Sequence, residues 1–256
     1  MDKETLINNF SRSAPFYDRY ANVQRQAALE LSQEVGEGRF RQILEIGCGT
    51  GDYTCILRNK FRNARIIALD ISREMIVVAK DKLKGEGIDF MVADAESANL
   101  NERFDLITSN ACFQWIMNLE KALLKYRNML RNKGIISFSM FGPRTFWELN
   151  VSLRSVLEDL SIYATRVAPL DKVECILKKH FKEVRIRESR YFESFTNLRQ
   201  LLDKIKYTGV RGNVSGDKII FSQRLLNELE KAYLCRFKQI RATYQVFFCV
   251  GKKQII

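Results

Sequence analysis

Histidine occurs once in this 256-residue chain, at His180, and proline three times. A nucleophile–histidine–acid constellation would have to rest on that one imidazole, which sits near a predicted helix end, so hydrolytic chemistry of that type is not expected. With so few prolines and no Gly/Ser-rich stretch there is no linker, and one folded unit is expected, ordered except at its ends. No apolar run approaches the ~18 residues of a membrane span. The polar start, Met1-Asp2-Lys3-Glu4-Thr5, lacks the apolar core of a secretion signal, so a cytoplasmic protein without membrane attachment is expected. None of the six cysteines (Cys48, Cys55, Cys112, Cys175, Cys235, Cys249) falls in a C-x-x-C pair. Reduced, mostly buried thiols are expected, with no metal site. There is no internal repeat, no low-complexity run and no Lys/Arg-rich tail.

What the chain does have is 46% hydrophobic residues, enough for a sizeable core, and a net charge of +12. That balance favours an anionic partner such as nucleic acid, an acidic protein or an anionic surface, though scattered cations also suit a merely solvated surface. Residues 3–38 read as helical, with Pro15 as an interruption and Gly36 and Gly38 as the close. Strands and helices then alternate. Strands are predicted at Gln42–Ile46, Arg65–Asp70, Asp89–Ala93, Phe104–Ser109 and Ile135–Phe141. Helices are predicted over 52–62, from an N-cap at Ser72, and over Glu120–Arg131. This alternation predicts a doubly wound, Rossmann-like α/β sheet. After Pro143 the rhythm changes. Helices are predicted at about 145–160 and 171–180, a strand at about 183–192, and a helix capped by Thr196 and ended by Gly209. A helix capped by Ser222 and a last strand, Tyr244–Val250, complete the chain. The division that results is a helical N-terminal cap (1–38), a cofactor-binding core (39–142) and a remainder that completes the sheet with helical insertions for the acceptor (143–256).

The first strand runs into Glu45-x-Gly47-x-Gly49-x-Gly51. Glycines there permit a tight turn and close approach of backbone to a ligand. A dinucleotide fingerprint would place its third glycine at position 52, which holds Asp52, and an acid at a helix N-terminus repels a pyrophosphate. The second strand ends in Asp70, followed by Ile71 and, in the next helix, Met75. A carboxylate in that place accepts hydrogen bonds from a ribose diol. The third strand leads into Asp94 and Ala95, where Asp94 can accept from an adenine amine. Three acids at three successive strand ends suit a cationic sulfonium and not a polyphosphate.

Taken together, Glu45, the three glycines, Asp70 and Asp94 resemble class I S-adenosylmethionine-dependent methyltransferases. That resemblance covers residues 40–142. It implies a seven-stranded, mostly parallel sheet with an antiparallel last strand, and S-adenosyl-L-methionine as the only cofactor. Asn110, at the end of the fourth strand, is carried over as a further cofactor contact.

A longer pattern narrows the resemblance. Phe10, Arg12, Ala14, Tyr17, Asp18, Ala21 and Gln24 open the chain. Ser109, Asn110, Gln114 and Trp115 follow the fourth strand, and Phe141, Gly142, Pro143, Thr145, Glu148 and Leu149 follow the fifth. Leu198, Lys206, Thr208 and Gly209 precede Leu225, Leu229 and the strand from Tyr244. Together these are similar to the malonyl-[acyl-carrier protein] O-methyltransferase family of biotin synthesis. The resemblance implies methylation of the free carboxylate of a malonyl thioester, giving an ester that primes pimeloyl formation. A malonyl carboxylate is ionised at neutral pH, so the reaction needs alignment and water exclusion rather than a general base. Tyr17, Arg12 and Arg144 are the candidates for meeting the carboxylate. The partner implied is an acidic acyl-carrier protein, steered by a basic rim in which Lys204, Lys206, Arg211 and Lys218 are candidates. A monomer without nucleic acid is expected. A small-molecule carboxyl or quinone-ring methyltransferase remains as an alternative. An RNA methyltransferase is disfavoured because Asn110 and Phe113 lack the two prolines of amino-methylating enzymes. Cys112 in the same loop is read as a buried thiol rather than a covalent catalyst.

Overall fold

The computed structural model describes residues 2–157, 161–209 and 222–254. The cap opens with α1 (Lys3–Ser13), α2 (Tyr17–Tyr20) and α3 (Asn22–Glu34). Pro15 lies in the break between the first two, where its fixed φ and missing N–H stop the helix. The alternating segment follows as β1 (Gln42–Ile46), α4 (Asp52–Lys60), β2 (Arg65–Asp70), α5 (Arg73–Lys82), β3 (Ile88–Val92), β4 (Phe104–Ser109), α6 (Leu119–Met129) and β5 (Leu130–Phe141). The rest is α7 (Trp147–Val156), α8 (Leu170–His180), β6 (Glu183–Phe195), α9 (Leu198–Tyr207), α10 (Gln223–Phe237) and β7 (Ile240–Lys252).

The seven strands form one sheet in the order β3-β2-β1-β4-β5-β7-β6. Strands β1 to β5 pair in parallel, and β7 runs antiparallel to both β5 and β6. This is the expected class I methyltransferase sheet. The order reverses between β1 and β4, so a crevice opens beyond their C-terminal ends, where open α/β sheets bind ligands. Both faces are covered, and successive residues of β1 enter opposite cores. Ile43 packs with Leu31, Leu57 and Leu201, while Leu44 and Ile46 pack with Leu123, Phe138 and Leu177. That burial on both sides explains why the central strands read as unbroken apolar runs.

Several expectations shift: β3 spans Ile88–Val92 rather than Asp89–Ala93, and α6 ends at Met129 rather than Arg131. β5 begins at Leu130 rather than Ile135, because Lys133 adopts φ 63° and the pairing with β4 shifts between Phe104 and Leu106. Gly134 therefore lies inside a bulged strand. The cap of α9 is Asn197 and not Thr196: Asn197 accepts from the Gln200 amide at 3.0 Å, while the Thr196 N–H donates to the Gln200 side chain. The last two strands pair over 13 residues each, longer than their apolar cores suggested. Among the described residues no helix is long and apolar enough to cross a membrane.

Candidate functional site at the carboxyl ends of the strands

The glycine turn leaves β1 with Gly47, Gly49 and Gly51 all at positive φ. At Gly49 (φ 54°) a Cβ would meet nothing within 4 Å, so the backbone there borders open space, whereas at Gly47 a Cβ would sit 2.4 Å from the Cys112 sulfur. The Gly49 N–H donates to Asp70 Oδ2 at 2.9 Å, and the Ser72 N–H donates to Asp70 Oδ1 at 2.8 Å. Asp70 is thus fixed by backbone at the end of β2 with lone pairs to spare. Burial raises its pKa against the hydrogen bonds from Ser72, Gly49 and Ile71.

Glu45 is 1% exposed, and its Oε2 has no hydrogen-bond partner. Burial, against the lowering effect of the nearby Thr54 hydroxyl and with the charge of Asp70 adding to it, lifts its pKa to about 8. Ile71 is half-buried beside Asp70, and Met75 is buried on α5. Asp94 accepts from the Glu96 amide at 2.9 Å and from Lys3 Nζ at 2.7 Å. Burial pushes its carboxyl up, but Lys3 and that amide outweigh it and hold the pKa below the usual range. The Ala95 carbonyl is gripped by the Tyr126 hydroxyl and by Lys125 Nζ. Asn110 acts as a joint: its Nδ2 donates to the Gln24 carbonyl at 3.0 Å, and its Oδ1 accepts from Ser139 at 2.7 Å. Strand ends therefore bring the predicted acids and glycines to one edge.

The cap lies over that edge. Ser11 reaches Ser72 and Glu74, Asp18 accepts from Thr50, and Lys82 pairs with both Asp18 and Asp52 at 2.6 Å. Arg25 also pairs with Asp52, at 3.0 Å. Lys3 bridges Asp94 and Glu96. Reading the sequence missed this set, and Asp18 and Asp52 were its visible traces. Phe10 packs on Tyr17 and Trp115, with ring centroids 6.4 and 5.8 Å apart. Gly209 permits this arrangement from the other side, since a Cβ there would sit 2.4 Å from the Phe10 ring.

Of the three carboxylate candidates, only Tyr17 has lost much of its solvent. Burial and the charges of Asp70, Asp52 and Asp18 raise its phenol pKa, so it remains a donor. Among the described residues its hydroxyl has no hydrogen-bond partner. Arg12 and Arg144 are exposed. The segment holding Arg144 serves as a joint to β7, with the Arg144 amide on Gln245 at 3.0 Å and buried Glu148 on the Thr243 amide at 3.1 Å. Lys204 is not part of a basic rim: it is buried and paired with Glu193, which Tyr244 also reaches. Arg211 and Lys218 lie outside the described residues. The cysteines are less uniformly buried than expected, since Cys175 and Cys235 are exposed. Cys112 is a protonated thiol, raised to about 12 by burial.

An orphaned buried carboxylate oxygen on Glu45, open space at Gly49 and spare acceptors on Asp70 fit the amine, backbone approach and diol of S-adenosylmethionine. Residues 44–138 match a family model described as a methyltransferase domain. The fold superposes on the YcgJ protein of Bacillus subtilis with a TM-score of 0.61 at 15% identity, over 90% of this chain and 99% of that one. It superposes on the N-methyltransferase NodS of Bradyrhizobium japonicum, solved with S-adenosyl-L-homocysteine, with a TM-score of 0.56 at 16% identity, over 97% and 98%. The fold and the matched segment are therefore those of a methyltransferase domain.

Full-length relatives narrow it. The chain is 36% identical to malonyl-[acyl-carrier protein] O-methyltransferase 2 of Ilyobacter polytropus, over 98% of this chain and 99% of that protein. It is 33% identical to the malonyl-[acyl-carrier protein] O-methyltransferase of Bacillus cereus, over 97% and 96%. The chain belongs to the malonyl-[acyl-carrier protein] O-methyltransferase family.

Proposed function

We propose that the chain methylates the free carboxylate of a malonyl thioester carried by acyl-carrier protein, giving the methyl ester that primes pimeloyl formation in biotin synthesis. The observation that carries this reading is the Tyr17 hydroxyl, a half-buried donor in the cap that has no hydrogen-bond partner among the described residues. Bound at the strand ends, S-adenosylmethionine supplies a methyl carbon on a sulfonium, which a carboxylate oxygen can take without any proton being removed.

The chain's own residues then have positioning tasks. Asp70 and Ile71 hold the ribose, while Asp94, Ala95 and Met75 frame the adenine. Glu45, Gly47, Gly49, Gly51 and Asn110 line the methionine end. Tyr17 donates to the carboxylate and replaces part of its lost hydration, which matters because an unpaired buried charge costs several kcal/mol. Phe10 and Trp115 exclude water. Arg12 and Arg144, both exposed, act at the entrance rather than at the reacting atoms. The division into cap, cofactor core and acceptor half, a monomeric state and a cytoplasmic location belong to the same proposal.

The test is direct. Purified protein with methyl-labelled cofactor is offered malonyl-carrier protein, acetyl-carrier protein and tRNA. Label is expected on the malonyl form alone, as a base-labile ester. Equal labelling of the acetyl form, or label on tRNA only, would overturn the proposal.

A further inference from the structure

Five cations in the cap and on the helices packed against it behave in two ways. Lys3, Arg25 and Lys82 each meet carboxylates within 3.0 Å. Arg19 on α2 and Lys206 on α9 meet none: both are exposed, and among the described residues neither forms an ion pair. Asp203, one turn earlier on α9, pairs with neither.

What these two cations do touch is aromatic. The Arg19 guanidinium lies 5.9 Å from the Tyr20 ring, and Lys206 Nζ lies 5.1 Å from the Tyr207 ring. Tyr20 stacks on Tyr207 at 4.8 Å and 20°, and Phe16 meets Tyr207 edge-on at 5.4 Å. Phe16 is 50% exposed. The stack joins two elements far apart in the chain, and it is braced below by Ser13 Oγ donating to the Lys206 carbonyl at 3.2 Å. It is therefore a preformed platform of three rings flanked by two uncompensated positive charges. Phe16 immediately precedes Tyr17, so the platform begins one residue from the proposed carboxylate donor.

A surface of this composition suits an acidic protein partner. Rigid aromatic rings bury apolar area at low entropic cost, and exposed cations steer an anionic surface into place. Among the described residues no carboxylate pairs with these two cations, which stand beside one exposed ring and two half-buried ones. We propose that Phe16, Tyr20 and Tyr207, with Arg19 and Lys206, form the docking surface for the acidic acyl-carrier protein, which delivers its malonyl thioester past this rim to Tyr17. The inference rests on the malonyl-carrier reading given above.

The experiment compares two substrates that differ only in the carrier: malonyl-carrier protein and malonyl-pantetheine, which has neither a protein surface nor a phosphate. The variant is the double charge reversal Arg19→Glu with Lys206→Glu. Arg19→Gln with Lys206→Gln is prepared in parallel should the reversal fold poorly, and thermal melting and cofactor affinity verify each protein. The expected result is a KM for malonyl-carrier protein raised at least ~10-fold by the reversal and less by the neutral pair, with kcat little changed. Malonyl-pantetheine should keep its wild-type KM. The wild-type kcat/KM on carrier protein should also fall as salt rises, and that fall should flatten in the variants. An unchanged KM on carrier protein, or an equal rise with malonyl-pantetheine, would overturn the docking surface while leaving the activity in place. Failure of the wild-type protein to methylate either malonyl thioester would instead overturn the reading on which the surface rests.

Discussion

Replacing Tyr17 by phenylalanine removes one oxygen and nothing else. The ring keeps its packing on Phe10 at 6.4 Å. Since the hydroxyl has no partner among the described residues, its loss strands no other group, and melting should stay within about 0.5 kcal/mol of wild type, as for substitutions that break no named interaction. The effect on turnover should be much larger. A hydrogen bond to a charged acceptor contributes roughly 1.5–3 kcal/mol. Converted at about 1.4 kcal/mol per decade, kcat/KM on malonyl-carrier protein should fall roughly 10- to 150-fold. Cofactor affinity should barely move, because Asp70 and the glycine turn are untouched. The phenol pKa is raised by burial and by the neighbouring carboxylates, so the hydroxyl stays protonated past its ordinary titration range. The deficit should therefore be the same from neutral to mildly alkaline pH. Initial rates across that range, with calorimetric cofactor binding, make the measurement. A Tyr17→Phe enzyme with kcat/KM within twofold of wild type would refute the argument and reduce Tyr17 to a packing residue.

Asp70→Ala should weaken S-adenosylmethionine binding by ~1–3 kcal/mol, read by calorimetry. Gly49→Val should be worse, since it forces a β-branched residue to φ 54° and fills the open space beside the turn. Unchanged affinity in folded Asp70→Ala would remove that carboxylate from the site. The Lys3 latch predicts a pH signature. Asp94 has a depressed folded-state pKa, so its contribution is present above the ordinary 3.8 and is lost as pH falls further. Lys3 is raised above 10.5, so its contribution is present below that value and is lost as pH climbs through the folded pKa. Lys3→Gln should thus lower stability between these limits, by no more than about 1 kcal/mol because both partners are partly exposed. It should also flatten the acid and alkaline limbs of a melting-temperature profile. Limbs as steep as in wild type would show that the latch contributes nothing.

Strands β1, β2 and β4 were legible to the residue, because each is an apolar run closed by a glycine, an aspartate or a serine where the sheet ends. The meeting of the acids and glycines at one edge was legible for the same reason: they sit at fixed offsets from those strand ends. Lys204 shows where such reading stops. As a charged residue it looked like surface, yet Leu198, Leu201 and Lys204 recur at helical spacing and face inward together. The partner that permits this, Glu193, lies on β6, and no local pattern announces it. The cap's latches were hidden in the same way. Lys3 and Asp94 stand 91 residues apart, and nothing near either one names the other. The burial of Tyr17 and the exposure of Arg12 likewise depend on which side of the elbow at Pro15 each falls.

The brace between Ser13 and the Lys206 carbonyl spans 193 residues, and the Phe10 ring needs the bare backbone of Gly209 beside it. On a ribosome, the chain through β5 emerges with its glycine turn and parallel strands already able to pair. The N-terminal helices at that stage have no α9 to lean on. The latches from Lys3, Ser11 and Asp18 can form by then, but the packing of Phe10 and the brace of Ser13 are completed only after nearly the whole chain has been made. A nascent or C-terminally cut chain would therefore hold its strands while one side of its aromatic cap lay open to chaperones and proteases. Brief protease treatment during refolding should therefore cut within the first 24 residues before it cuts the sheet.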